Sequence, residues 1–94
     1  MDSSLFLLTH PSCDPCQRLK KGGIGNHVKE ISVMDDAGAD LVLEAQESGI
    51  EVEGVPAVFE RDVEGKLKAC QITWDGDNVT AKCPSGEKNL RSHV

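Results

Sequence analysis

The tetrad Cys13-Asp14-Pro15-Cys16 is the part of this chain whose residue types and spacing can do chemistry. Two thiols two residues apart can close a disulfide with each other and exchange it with another. A thiolate that attacks a disulfide leaves a mixed disulfide, and a neighbouring thiol then opens it. Only the ionised sulfur attacks. Its ordinary pKa of roughly 8.5 falls where a helix start presents unpaired backbone N–H groups, and a helix beginning at Cys13 would supply them. Cys16, one turn in, would resolve the intermediate formed on Cys13. Pro15 suits a first helical turn, because the N–H it lacks would have had no helical partner. Asp14 opposes ionisation of Cys13 by its own charge, and Arg18 and Lys20 are the cations near enough in sequence to offset it.

The same spacing serves structural cross-links and metal sites. A zinc centre needs two further close ligands, and Cys70 and Cys83 do not make a second C-x-x-C, so no metal is expected. His10, in His10-Pro11-Ser12-Cys13, reads first as a solvated loop histidine, and beyond that as a third ligand or a group that tunes Cys13.

The dithiol needs a rigid element on each side, and the neighbouring patterns provide them. Ser4-Leu5-Phe6-Leu7-Leu8-Thr9 is a short continuous apolar run ended by His10-Pro11, which predicts a strand buried on both faces. From Cys13 onward, Cys16, Leu19 and the basic Arg18, Lys20 and Lys21 before Gly22-Gly23 predict a short helix with a glycine stop. Residues 28–33 read as a second strand. Asp35 and Asp36 then cap a helix to about residue 48, with Leu41, Val42 and Ala45 on its apolar side and Gly49 at its end. Ala57-Val58-Phe59 and residues 67–72, separated by Glu64-Gly65, open the second half as a β-hairpin. This βαβα order followed by an antiparallel pair predicts an α/β sandwich with a mixed sheet.

The last third carries a clear register. If residues 70–74 fold back through Asp75-Gly76-Asp77-Asn78 onto residues 79–83, Trp74 faces Val79, Ile72 faces Ala81 and Cys70 faces Cys83. One face is then apolar and the other carries Gln71, Thr73, Thr80 and Lys82. Cys70 and Cys83 fall at a non-hydrogen-bonded pair, where Cα atoms lie about 4.5 Å apart, within reach of a disulfide. A structural cross-link, a second redox pair and two reduced buried thiols all fit that spacing. Trp74 is expected to anchor the hairpin to the core. The tail from Ser85 to Val94 is expected to add at most a helical turn or two through Leu90 and Val94.

The chain has 94 residues, 38% hydrophobic and 28% charged, which is the composition of one globular domain spanning residues 1–94. Its formal net charge of −6 argues against a nucleic-acid partner, since phosphate backbones are bound by basic surfaces. The acidic residues, among them Asp35, Asp36, Glu51 and Glu53, read as a solvated face. The longest apolar stretch is far too short to cross a bilayer, so no membrane partner is expected, and with no secretory pattern the expected location is cytoplasmic.

A C-x-x-C at the start of the first helix, followed some forty residues later by Gly54-Val55-Pro56-Ala57-Val58-Phe59, resembles the thioredoxin superfamily. Residues 49–59 are similar to its cis-proline loop, and the likeness covers roughly residues 4–72. In layout the chain looks closer to glutaredoxins, because it opens directly on the buried strand. Its tetrad is neither the usual Cys-Pro-Tyr-Cys nor Cys-Gly-Pro-Cys, and the hairpin of Cys70 and Cys83 stands where the family has its closing helix. The resemblance implies a thiol–disulfide oxidoreductase with Cys13 and Cys16 catalytic. By it, Pro56 would be cis, Val55 would pair a substrate strand, and Asp14 and Pro15 would border the substrate. It also implies a disulfide-containing protein or small molecule as substrate, no bound cofactor, and glutathione or thioredoxin reductase as electron donor. The competing expectations are a redox-inactive binding module on the same fold and a metal carrier using the C-x-x-C.

Overall fold

The computed structural model describes residues 4–25, 27–52, 54–76 and 78–91. Along the chain run β1 (Ser4–Thr9), α1 (Asp14–Lys21), β2 (Val28–Ser32), α2 (Asp36–Glu47), β3 (Ala57–Arg61), β4 (Leu67–Asp75), β5 (Asn78–Cys83) and β6 (Gly86–Asn89). The six strands form one mixed sheet in the order β2-β1-β3-β4-β5-β6, so the structure is α/β with two helices. β1 and β2 are parallel and are joined through α1, as a parallel pair requires; the other pairings are antiparallel. Of the features read from sequence, Asp77, Glu53 and Val94 lie outside the described residues.

β1 sits inside the sheet because both of its faces are apolar. Leu5 and Leu7 pack with Leu19 of α1, Val28 and Val58, whereas Phe6 and Leu8 lie with Leu41 and Ala45 of α2 and with Phe59. Leu7, Leu8 and Leu19 are wholly buried, and each such leucine removed from water stabilises the fold by about 1.5–3 kcal/mol. Alternation along β1 therefore assigns one helix to each side of the sheet. On the α2 side, Arg61 of β3 donates to both carboxylate oxygens of Glu44 at 2.6 and 2.7 Å. That hydrogen bonding holds the Glu44 carboxyl below its ordinary 4.5.

Gly38 explains how closely α2 approaches β2. A Cβ there would overlap the Ser32 carbonyl and crowd the Val33 Cα, both of them backbone and unable to swing aside. Gly38→Ala should therefore destabilise the protein, although alanine is the better helix former by about 1 kcal/mol. The expected net loss is about 1–3 kcal/mol, the range of core overpacking, read from the urea midpoint. A rise in stability would mean that α2 can lift off β2 without loss.

The second half departs from a flat sheet. β4 pairs with β3 through residues 67–70 and with β5 through residues 71–75, in the expected register that sets Ile72 against Ala81 and Trp74 against Val79. Gly76 turns the hairpin at φ +61°, a conformation glycine adopts without strain. Val79, Ala81 and Leu90 are fully buried in the same cluster as Leu5, Leu7 and Leu19, so β4 curls and lays β5 and the residues after it over the α1 side of the sheet.

The tail expected to form a helical turn is a strand. β6 pairs with β5, and Leu90 beyond it donates to the Val79 carbonyl and accepts from Gly25 N–H at 2.9 Å each. A strand wins because its backbone groups find partners on β5 while Leu90 fills the space beside α1. Further along, Arg91 donates to the Leu19 carbonyl at 2.7 Å, and His27 Nε2 donates to the Asn89 carbonyl at 2.6 Å. The end of α1 is thus capped from the far end of the chain.

Candidate active site

Cys13 is the N-cap of α1. Its backbone is extended (φ −92°, ψ 113°), its carbonyl accepts the first helical bond from Gln17 N–H at 3.0 Å, and its Sγ accepts from Cys16 N–H at 3.2 Å. The sulfur therefore occupies the place where a capping oxygen usually stands, facing the free N–H groups of the helix start. The loop before it is held by short local bonds. Cys13 N–H donates to the His10 carbonyl, Ser12 N–H donates to His10 Nδ1 and Gln17 Nε2 donates to the Pro11 carbonyl. His10 accordingly braces the loop with its Nδ1 as acceptor.

Cys13 and Cys16 are joined in a disulfide, with Cα atoms 5.2 Å apart. The two sulfurs live in different surroundings. Cys16 is completely buried under α1, whereas Cys13 is partly exposed at the rim. Asp14 and Pro15 are exposed in the first turn between them. Across the rim, the Val55 carbonyl oxygen lies 3.6 Å from Cys13 Sγ, where a reduced thiol can donate to it. The Val55–Pro56 peptide is cis. Cys13, Cys16 and Val55, named from the sequence, are thus brought together with Asp14, Pro15 and Pro56 on the segments that carry them.

Neither cation considered against Asp14 pairs with it. Lys20 points to Glu30 of β2 at 3.7 Å, and the Arg18 guanidinium lies over the Trp74 ring, 5.9 Å from its centroid. Trp74 is not the core anchor expected of it. It is 37% exposed, because β4 runs past the core and carries the ring out to the α1 surface, where it flanks Arg18.

Cys70 and Cys83 also form a disulfide, bridging β4 and β5 with Cα atoms 4.4 Å apart. The cross-strand pairing is the one alternation implied, and both half-cystines pack on the α1-side core. Among the described residues no group of three or more His, Cys, Asp or Glu side chains is arranged to hold a metal ion. No helix among the described residues is long and apolar enough to cross a membrane. An open groove of about 550 Å³ between the end of α2 and the β3–β4 turn, lined by Glu44, Ser48 and residues 65–68, contains neither cysteine pair.

Two polar side chains went unnoticed in the sequence. Glu60 is 1% exposed on the α1 side, accepts from the Ser85 hydroxyl and lies 3.4 Å from Lys88 Nζ. Thr9, at the end of β1, is 1% exposed, and its hydroxyl has no hydrogen-bond partner among the described residues. The only available signal for Glu60 was its period of two with Val58, which places a charge on an apolar face. Thr9 read simply as the end of an apolar run. Compared with protein-family models, with curated proteins and with solved structures, the chain matches none of them.

Proposed function

We propose that this protein is a thiol–disulfide oxidoreductase in which Cys13 exchanges with a disulfide in a protein or small-molecule substrate and Cys16 resolves the mixed disulfide. The observation that carries the reading is the asymmetry of the pair: one sulfur partly exposed at a helix N-cap, its partner wholly buried one turn on. A substrate sulfur can reach only the first. As a thiolate, that sulfur is favoured by the helix start it caps.

In the reducing direction Cys13 thiolate attacks one substrate sulfur, forms a new S–S bond and expels the other as thiolate. Cys16, once deprotonated, then attacks Cys13 Sγ and releases the second substrate thiolate, leaving the disulfide seen here. An external dithiol reductant or glutathione would return two electrons and two protons to close the cycle. Val55 offers its carbonyl beside the reacting sulfur, so an extended substrate segment can align its backbone there. The sheet order β2-β1-β3-β4, with the dithiol at the N-terminal end of α1 just after β1, supports a thioredoxin-like arrangement in which the hairpin of β5 and β6 stands in for a closing helix.

The experiment is reduction of insulin disulfides by dithiothreitol, followed by turbidity. Catalytic amounts of the protein should shorten the lag well below that of dithiothreitol alone. A lag unchanged by the protein would remove the reading and leave the C-x-x-C a structural cross-link.

A further inference from the structure

Thr9 Oγ1 is the buried side-chain polar atom that finds no partner among the described residues. Leaving such a group dry is costly, so its place in the fold calls for a reason. Alternation along β1 sets Thr9 with Leu5 and Leu7 on the α1 side, and it is the last residue of the strand, at the end from which the loop leads to Cys13. The two residues that α1 buries are Cys16 and Leu19, and Cys16 belongs to the turn nearest that end. The orphan hydroxyl and the buried sulfur thus share one side and one end of the molecule. The Cys16 N–H is already committed to Cys13 Sγ.

We propose that Thr9 is a positioning residue for Cys16, its hydroxyl donating a hydrogen bond to the Cys16 sulfur when the disulfide is open. This rests on the redox reading of the pair. In the disulfide, Cys16 Sγ is bonded to Cys13 and carries no charge, and the hydroxyl is left without a partner. Reduction breaks the Sγ–Sγ bond, with two electrons and two protons supplied by an external dithiol that itself becomes a disulfide. The freed Cys16 sulfur is a better acceptor, most of all as the thiolate that must attack the mixed disulfide. The hydroxyl therefore stabilises the open form and is wasted in the closed one. It biases the couple toward reduction and lowers the cost of ionising a sulfur that water does not reach.

The test is the equilibrium constant of the Cys13–Cys16 pair against a dithiothreitol redox buffer, read by alkylation and mass spectrometry of the peptide carrying both cysteines. Thr9→Val keeps the shape and removes the hydroxyl. It should shift the constant about tenfold toward the disulfide, equivalent to about 30 mV toward more negative potential. Thr9→Ser should restore the wild-type constant to within about twofold. In urea, oxidised Thr9→Val should be at least as stable as oxidised wild type, and reduced Thr9→Val less stable than reduced wild type. If valine proves too bulky in the oxidised protein, Thr9→Ala makes the same comparison against Thr9→Ser. A constant that is the same with and without the hydroxyl overturns the proposal while leaving the redox reading intact. A pair that equilibrates with no dithiol buffer at all overturns the redox reading itself.

Discussion

Cys16→Ser should convert the protein from a turnover catalyst into a trap. Cys13 in that variant still caps α1 and still attacks, but the group that would release it from the substrate is gone. Incubation of the reduced variant with disulfide-intact insulin or with a small aromatic disulfide should leave a covalent adduct on Cys13, visible as a mass increase that dithiothreitol removes. Steady turnover should fall on the order of a hundredfold, because release then depends on solution thiol. Cys13→Ser should abolish both turnover and adduct, since Cys16 is fully buried and no substrate sulfur can approach it. The pair of variants therefore tests the division of labour as well as the activity. Equal adduct formation by both would mean that the buried sulfur is reachable and that the assignment of roles is wrong. The logic depends on burial and on which cysteine heads the helix, and not on the identity of Asp14 and Pro15 between them.

Glu60→Ala should give a large loss of stability, because it breaks a buried polar cluster. The carboxylate is buried at the joint between the sheet and the hairpin of β5 and β6, taking the Ser85 hydroxyl and the Lys88 ammonium as its partners. Removing it leaves Lys88, itself mostly covered, without a counter-charge and leaves a void beside β3. Breaking a buried pair by deleting one member costs about 3–5 kcal/mol, and the partial exposure of Lys88 argues for the lower end. A loss of about 3 kcal/mol corresponds to roughly 12–24 °C in Tm for a domain near this size. Glu60→Gln keeps an acceptor for Ser85 and should lose distinctly less. Calorimetry of the three proteins with both disulfides intact reads the difference. A Glu60→Ala protein that melts with the wild type would show that the hairpin is held by Leu90 and the Cys70–Cys83 bridge alone.

Much of this architecture could be read from residue types because its rules are local. The run at residues 5–8 is apolar at every position, which a strand covered on both faces tolerates, and the observed burial of Leu7 and Leu8 follows. The alternation around Gly76 identified the hairpin and the partners Cys70 and Cys83, because side chains in a strand have a period of two and a one-residue slip would have turned the pattern inside out. Cys13 and Cys16 announced themselves by spacing, and the glycine stop and basic last turn bounded the helix they begin. In each case the deciding interaction joins residues close along the chain or directly opposite in a turn.

What only the folded chain decided involves the curl of β4. That bend brings β5 and the tail across the α1 side, makes a strand of residues 86–89 where a helical turn was expected, and carries Trp74 outward onto Arg18 instead of into the core. It also buries Glu60 beneath Ser85 and Lys88, residues 25 or more positions away. The direction and degree of a strand's bend depend on how two layers share one volume, and that is settled by the packing of Leu90, Val79 and Ala81 against Leu5, Leu7 and Leu19. No window of neighbouring residues contains that information. The dithiol is therefore a property of the sequence, while the difference in exposure between its two sulfurs, and with it their chemistry, belongs to the tertiary structure.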